Sequence, residues 1–341
     1  MIVLPLKLPI SALQCMALLR RLPKNHPMRP KIEKDLRAWL KGYYGEKEFS
    51  YYLSFLPEDQ YYIFHGLRLK DKKAFQMDVL IVSQAFALIA EVKNISRRLI
   101  FNKETNHVTK EFNNEEEGIP NPILQVKRQR MQFINWLEKV QMKGLPIERL
   151  VVISKTSTLV ETTPDNQQIF KELIYAESSI DKLQELEEKY EKPRFSKKKL
   201  TQLVNLLLTH HQPLIPDILQ TYNISKDEIK TGVICPKDHI STMTYYSGSW
   251  HCLSCHFSSK TAHHPAVDDY FLLLGPTITR KQLAEFLHIG STYIAGNMLR
   301  ALGLPLTGAK RGTTYFLPQN YEFIQPDETD IKLPVHTFPV K

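Results

Sequence analysis

Three ionisable side chains in the stretch Gln76–Lys93 (QMDVLIVSQAFALIAEVK) have the types and spacing of a metal site: Asp78, Glu91 and Lys93. Two apolar runs, Val79–Val82 and Phe86–Ala90, flank Gln84-Ala85, and the pattern predicts an antiparallel hairpin folding about that dipeptide. In that register Val82 faces Ala87, Leu80 faces Ile89 and Asp78 faces Glu91. Directly opposed residues share a face at roughly 4.5–5.5 Å. Lys93 falls on the same face because strand side chains alternate with period two. Gln84-Ala85 is not a favoured two-residue turn, and a slip of one residue would send the acids to opposite faces. With the register held, the two carboxylates repel unless a positive charge lies between them. Magnesium suits such a set, through oxygen ligands, one or two carboxylates and retained waters. Its chemistry would be activation of water and polarisation of a phosphoryl oxygen. Lys93 could orient the water or neutralise charge on the phosphate. The plainer reading of Glu-x-Lys, a charged pair at a strand end, has to be weighed against this.

The elements that must position these groups are legible on either side. The two apolar runs show little alternation, which marks strands covered on both faces, with the charges at the edge of a core. Upstream, Pro30–Leu56 reads as a helix with Gly45-Glu46 near its middle and Leu36, Trp39, Leu40, Phe49 and Leu53 as core residues. Glu46 could project from it toward the hairpin. Downstream, Asn121-Pro122-Ile123 leads into a helix from about Leu124 to Lys139, since proline suits a first helical turn. Gln125 lies in that turn, where it could hold a water or a phosphate oxygen, and Val126, Met131, Ile134 and Leu137 are expected to face inward. Leu150–Ser154 (LVVIS) gives a further buried strand.

The order Gly-Glu in a helix, Asp opening a hairpin, Glu-Val-Lys closing it, then Asn-Pro-Ile-x-Gln resembles the NERD (nuclease-related) domain over about Lys41–Leu159. That family is similar to the PD-(D/E)xK nucleases, which include restriction endonucleases and Holliday-junction resolvases. The resemblance implies an α/β fold, a restriction-endonuclease-like mixed sheet flanked by helices. It implies Mg²⁺, or Mn²⁺ in its place, on Asp78 and Glu91, with the backbone carbonyl of Val92 as a third ligand. Lys93 would be the catalytic lysine, Glu46 an accessory acid, and Gln125 the family's helix glutamine. A fold can host several functions, so a non-catalytic nucleic-acid-binding or regulatory protein is the competing class. A scaffold binding proteins through its C-terminal half is a third.

The chain has 341 residues and a net charge of +9, with a pI near 9.1. Its length suits more than one domain, and its charge favours a polyanionic partner, nucleic acid and DNA first. Cutting both strands of a duplex would favour a homodimer. The N-terminal stretch MIVLPLKLPISALQCMALLRRLP is apolar, but Pro5, Lys7 and Pro9 interrupt it. What remains is shorter than the roughly 20 residues of a membrane span, and docking on the nuclease-like domain is expected. Cys15 stands alone and three cysteines cluster, unlike a secreted disulfide framework, so a cytoplasmic setting is expected. No GxxxxGK[ST] loop occurs. Between Ile180 and Lys199 the chain becomes highly charged and reads as a solvated helix with a linker at Pro193, before an apolar helix over Leu200–Leu208. Five segments are expected: 1–40, the N-terminal segment; 41–160, the nuclease-like domain; 161–230, a helical and linker region; 231–262, a ribbon; and 263–341, a helix-turn-helix-like module.

Cys235-Pro-Lys-Asp238-His239 and Cys252-Leu-Ser-Cys255, with Tyr245, Tyr246 and Trp250 between them, resemble a zinc ribbon. Zinc takes four N or S donors in a tetrahedron. The expected set is Cys235, His239, Cys252 and Cys255, with Asp238 as the alternative to His239 and with His251 and His256 as further substitutes. A degenerate ribbon that has lost its metal is the other reading. Further on, Thr279 caps a helix to about Leu287, His288-Ile289-Gly290 turns, and Ser291 caps a second helix ended by Gly303. A hairpin with a basic turn at Gly308–Gly312 follows, and the whole resembles a winged helix-turn-helix. Ser291, Thr292, Tyr293 and Asn297 would then face the major groove, and Lys310 and Arg311 would meet phosphates. A small protein-interaction module is the alternative.

Overall fold

The computed structural model describes residues 1–112, 115–319 and 321–327. The chain divides into two compact units, one of Met1–Lys7 with Leu40–Leu214 and the other of Leu8–Trp39 with Ile215–Lys341. Segments 1–40 and 161–230 are therefore each split between the units, unlike the expected five-part division.

The chain begins with β1 (Ile2–Leu4), α1 (Ile10–Arg21) and α2 (Arg29–Leu53), followed by strands β2 (Tyr62–Lys70), β3 (Ala74–Val82) and β4 (Ala87–Lys93). Then come β5 (Arg98–Phe101), β6 (Val108–Phe112), β7 (Glu115–Ile119), α3 (Pro122–Lys139), β8 (Ile147–Ile153), β9 (Leu159–Thr162), β10 (Leu173–Tyr175), α4 (Ser179–Lys189) and α5 (Lys197–His210). The main sheet of the first unit has the order β1-β2-β3-β4-β8-β10. It is mixed: β3 is antiparallel to β2 and β4, while β4 and β10 are both parallel to β8. A smaller sheet has the order β7-β6-β5-β9.

Both faces of the main sheet are covered, as the unbroken apolar runs imply. Leu80, Val82, Ile89, Val151 and Ile153 pack with Val126, Phe133 and Trp136 of α3 and Leu203 and Leu207 of α5. On the other face Val79, Ile81, Leu88, Ala90 and Val152 pack with Phe49 and Leu53 of α2 and Leu183 and Leu186 of α4. Each fully buried aliphatic side chain contributes roughly 1.5–3 kcal/mol, so register errors in β3 or β4 would cost many such contacts. Helices α4 and α5 thus belong to the sheet's core and not to a linker. Two residues expected inside are outside: Trp39 is 45 % and Met131 58 % exposed. Each lies on a helix whose inward stripe is filled by neighbours such as Leu36, Leu40 and Phe133.

The hairpin has the expected register, with Val79 opposite Ala90, Leu80 opposite Ile89 and Val82 opposite Ala87. Its unfavoured turn is held from outside the dipeptide. Ser83 Oγ accepts from the N–H groups of Ala85 and Phe86 and donates to the Phe86 carbonyl, a local serine turn that replaces the usual glycine chemistry. The Gln84 carbonyl accepts from the N–H groups of Arg194 and Phe195, which ties the turn to the start of α5.

In the second unit α1 buries Ala12, Leu13, Cys15, Ala17 and Leu18. The unit also holds α6 (Ile218–Tyr222), α7 (His264–Leu274), α8 (Arg280–Leu287) and α9 (Thr292–Ala301). Gln14 of α1 donates to the Leu272 carbonyl at 2.7 Å, and Asp269 of α7 accepts from Arg21 at 2.7 Å and Arg20 at 2.6 Å. These paired charges and the apolar stripe bring the N-terminal helix to α7, not to the sheet of the first unit; only β1 joins that sheet, beside β2. A ribbon sheet has the order β11 (Val233–Ile234), β12 (Thr242–Tyr246), β13 (Ser249–His251) and β14 (Ser258–Ser259). Around α8 and α9 lie β15 (Thr277–Thr279), β16 (Leu306–Thr307) and β17 (Thr314–Phe316), in the order β15-β17-β16. Among the described residues, no helix is long and apolar enough to cross a membrane.

Candidate active site

Asp78, in the middle of β3 and next to the last residue paired with β4, and Glu91 and Lys93 at the end of β4 converge. Lys93 Nζ donates to Glu91 Oε1 at 2.6 Å and to Gln125 Oε1 at 3.3 Å. Asp78 Oδ2 accepts from the Val92 N–H at 2.9 Å. Pairs on either side place Gly66 of β2 opposite Asp78, and Gly66 has φ +61°, a conformation that glycine adopts without penalty. Glu91 is only 1 % exposed, whereas Asp78, Glu46, Lys93 and Gln125 are half-buried.

Helix α2 brings Glu46 close because the preceding residue has no side chain. A Cβ on Gly45 would stand 2.6 Å from Asn94 Cβ and 3.1 Å from Ser154 Oγ, so any larger residue would push the helix off the strand ends. Helix α3 starts with Asn121 accepting from the N–H groups of Ile123 and Leu124 and with Pro122 in its first turn, which aims Gln125 at the lysine. One turn on, Gln129 also belongs to the site, a part not expected from the sequence. Its Nε2 donates to Glu91 Oε2 at 2.7 Å and to the Gln76 carbonyl at 3.0 Å. The signal was its spacing, four residues after Gln125 and so on the same helix face.

The charges do not balance by themselves. Burial, then the charges of Glu91 and Glu46, raises Asp78 well above the usual carboxylate range against the pull of Lys93 and the Val92 N–H. Burial and Glu91 push Glu46 up to about 7. Three acids with one ammonium favour a further cation. The donor types suit a hard divalent ion: all are carboxylate oxygens, although the three acids do not all lie within 4.8 Å of one another, and Gln129 Oε1 is buried without a hydrogen-bond partner, free to accept from a bound water. Both Glu91 oxygens carry a hydrogen bond, but each carboxylate oxygen has a second lone-pair site.

A second donor cluster lies in the ribbon. Among the described residues, the one set of three or more Cys, His, Asp or Glu donors within 4.8 Å of one another is Cys235, Asp238, Cys252 and Cys255. This cluster can hold a metal ion. The structure selects Asp238, not His239. The two knuckles are alike: the N–H of His239 donates to the Cys235 carbonyl, and the N–H of His256 donates to the Cys252 carbonyl. His239 and His256 both take left-handed backbone, at φ +57° and +58°. Each histidine closes its knuckle, and the residue before it, Asp238 or Cys255, turns inward. His251 is likewise outside the cluster, its Nδ1 paired with Ser258 Oγ at 2.8 Å. Asp238 Oδ1 accepts from the N–H groups of Ile240 and Ser241, which holds its carboxyl well below the usual range. The Phe257 N–H draws the Cys255 thiol down.

On α9, Ser291 caps the helix through the Ile294 N–H. Thr292, Tyr293, Asn297 and Arg300 are exposed on one side, and Ala295, Met298 and Leu299 are buried on the other. Asn297 Oδ1 accepts from Arg300. Lys310 is exposed, and its carbonyl accepts from Arg280. The side chain of Arg311 lies outside the described residues.

Residues 41–154 match the family model of the nuclease-related domain, and the chain carries that domain over these residues. No curated protein and no solved structure matches the chain.

Proposed function

We propose that the nuclease-related domain hydrolyses phosphodiester bonds in nucleic acid, DNA first, with Mg²⁺ or Mn²⁺. The observation that carries this reading is the junction of Asp78, Glu91 and Lys93 with Glu46, Gln125 and Gln129 around too little positive charge. Asp78 and Glu91 would hold the ion. Val92 supports a third ligand, because N–H and C=O of one strand residue point the same way and its N–H meets Asp78. When bound, such an ion supplies Lewis-acid polarisation and a more acidic water. Lys93, steadied between Glu91 and Gln125, orients the attacking water and offsets charge gathering on the phosphate. Glu46, with its raised proton affinity, can take or return a proton near neutral pH.

The ribbon cluster is read as a structural zinc centre on three thiolates and Asp238. Helices α8 and α9 with strands β15–β17 resemble a winged helix-turn-helix. The exposed side of α9, with Lys310 and Arg311, is read as its nucleic-acid face. A single strand can be cut by one subunit, and a homodimer would serve cleavage of both strands of a duplex.

Purified protein with Mg²⁺ and end-labelled single-stranded, duplex and branched DNA and RNA tests the reading. Cleavage should require the ion and fall by about a hundredfold or more in Asp78→Ala and in Lys93→Ala, with melting curves that show both variants folded. Unchanged cleavage in both variants overturns the assignment. Binding without cleavage of any form selects the non-catalytic class.

A further inference from the structure

Beside the acid site, in the same unit, a cleft of about 810 Å³ runs along α2. It begins where the site ends. Asn94 follows Lys93 in the chain, the Ser154 N–H donates to the Lys93 carbonyl at 3.1 Å, and both Asn94 and Ser154 line the cleft. Its other wall is one stripe of α2, Tyr44, Glu48 and Tyr51, continued by Phe55 at the spacing of successive helical turns. These rings are displayed and not packed away: Tyr44 is 38 %, Tyr51 59 % and Phe55 63 % exposed. Tyr51 is braced edge-on by Tyr52 at 5.4 Å and Phe55 at 5.1 Å between ring centres, so its orientation is set in advance.

Charge along the cleft is uneven. Near Asn94, whose Nδ2 donates to the Lys41 carbonyl, Lys41 has its ammonium disfavoured by burial and then by the charges of Lys155 and Lys110. Lys155 lines the cleft there. Toward Tyr52 stand the acids Glu48 and Glu177, with Lys47 also lining the cleft. A duplex presents two phosphate backbones outward and keeps its base faces stacked inside. It would offer nothing to the tyrosine faces and would bring phosphates to Glu48 and Glu177. A single strand offers phosphates to the lysine end and unpaired base faces to the rings, which are the two features of sequence-tolerant single-strand sites.

We infer that the α2 cleft binds a single strand of nucleic acid, its bases stacked on Tyr44 and Tyr51 and its backbone at Lys41 and Lys155, and delivers it to the adjacent acid site. This rests on the reading of that site as a nuclease centre, but its test does not depend on cleavage. Fluorescence anisotropy without added Mg²⁺ would compare fluorescein-labelled oligothymidylate, oligouridylate, a duplex and an abasic strand of equal charge. Tyr44→Ala and Tyr51→Ala should each weaken binding of at least one of the two base-bearing single strands by about tenfold. Tyr51→Phe should restore it, and duplex and abasic-strand affinities should not change. The oligonucleotide that responds identifies the sugar. Equal loss on the duplex or the abasic strand, no loss on either single strand, or no single-strand binding by the wild-type protein overturns the inference. Failure of the cleavage reading alone would instead appear as a strand that is bound in this way and left uncut when Mg²⁺ is added.

Discussion

On the proposed reading Glu91 and Cys252 would each offer a metal-ligand atom at the end of a strand, yet the strands differ in what holds them. Strand β4 is buried on both faces, paired on both edges, and packed under α2 and α3. Its charged end is carried by a core that exists without any ion. Strand β13 has three residues, and its buried side chain is Trp250, packed on Tyr245 and donating to His263 Nδ1 at 3.2 Å. The ribbon's strands are two to five residues long, too little to bury a core of their own. In the first region the scaffold makes the site; in the second, a bound metal would make the scaffold. On the proposed reading one metal would be a reagent and the other a structural part.

The largest expected effect tests the second half of that contrast. Cys252→Ser, or a zinc-selective chelator, should release bound zinc and open the ribbon, since structural zinc supplies folding free energy directly. Amide exchange over residues 233–259 should rise to the unprotected rate while β3 and β4 stay protected. Unchanged exchange in the ribbon would make it a metal-free module held by Trp250.

The converse holds in the first unit. Leu80 is fully buried, and Leu80→Ala should destabilise that unit by about 3 kcal/mol in urea titrations, whether or not metal is present. Stabilisation of the wild-type unit by Mg²⁺ should be modest beside this.

Both units also carry a buried histidine. Burial lowers His65 in the first and His263 in the second to about 4. Unfolded histidine titrates near 6.5, so the unfolded chain binds more protons between those values. Stability should be full above about pH 6.5 and fall toward pH 4, by on the order of 3 kcal/mol per histidine. His65→Gln should flatten the slope of the first unit only, measured by pH-dependent urea melts; an equal change in both would break the separation.

The smallest effect concerns the approach of α2. Gly45→Ala should cost roughly 1–2 kcal/mol, because the new methyl meets Asn94 at 2.6 Å, and it should lower cleavage more than stability by moving Glu46. Normal cleavage would mean that Glu46 is dispensable.

The two regions also differed in how far the sequence revealed them. The hairpin register was legible because two apolar runs can bury both faces in one alignment, and that alignment put Asp78, Glu91 and Lys93 on one face; Glu46 and Gln125 came instead from the flanking helices and the family resemblance. Gln129 was not, because its spacing from Gln125 puts it on the same helix face but does not show that it reaches Glu91 until the neighbouring strand is placed. The turn looks unfavoured from its dipeptide alone because the group that stabilises it, Ser83 Oγ, lies before the dipeptide. Joining of β1 to the sheet, and of α1 to α7, depends on contacts distant in the chain. In the ribbon, imidazole is the better zinc ligand and the longer side chain, which favours His239 on sequence alone. Backbone decided otherwise: the knuckle needs a left-handed residue where His239 stands, and that leaves Asp238 facing the thiols.

The most direct measurement is calorimetric titration of Mn²⁺ into zinc-loaded wild-type protein and Asp78→Asn, with zinc content assayed in parallel. Wild-type protein should bind Mn²⁺ with heat that disappears in Asp78→Asn while its zinc is retained. Undiminished Mn²⁺ binding in that variant would contradict the account, since Asp78 would then hold no ion.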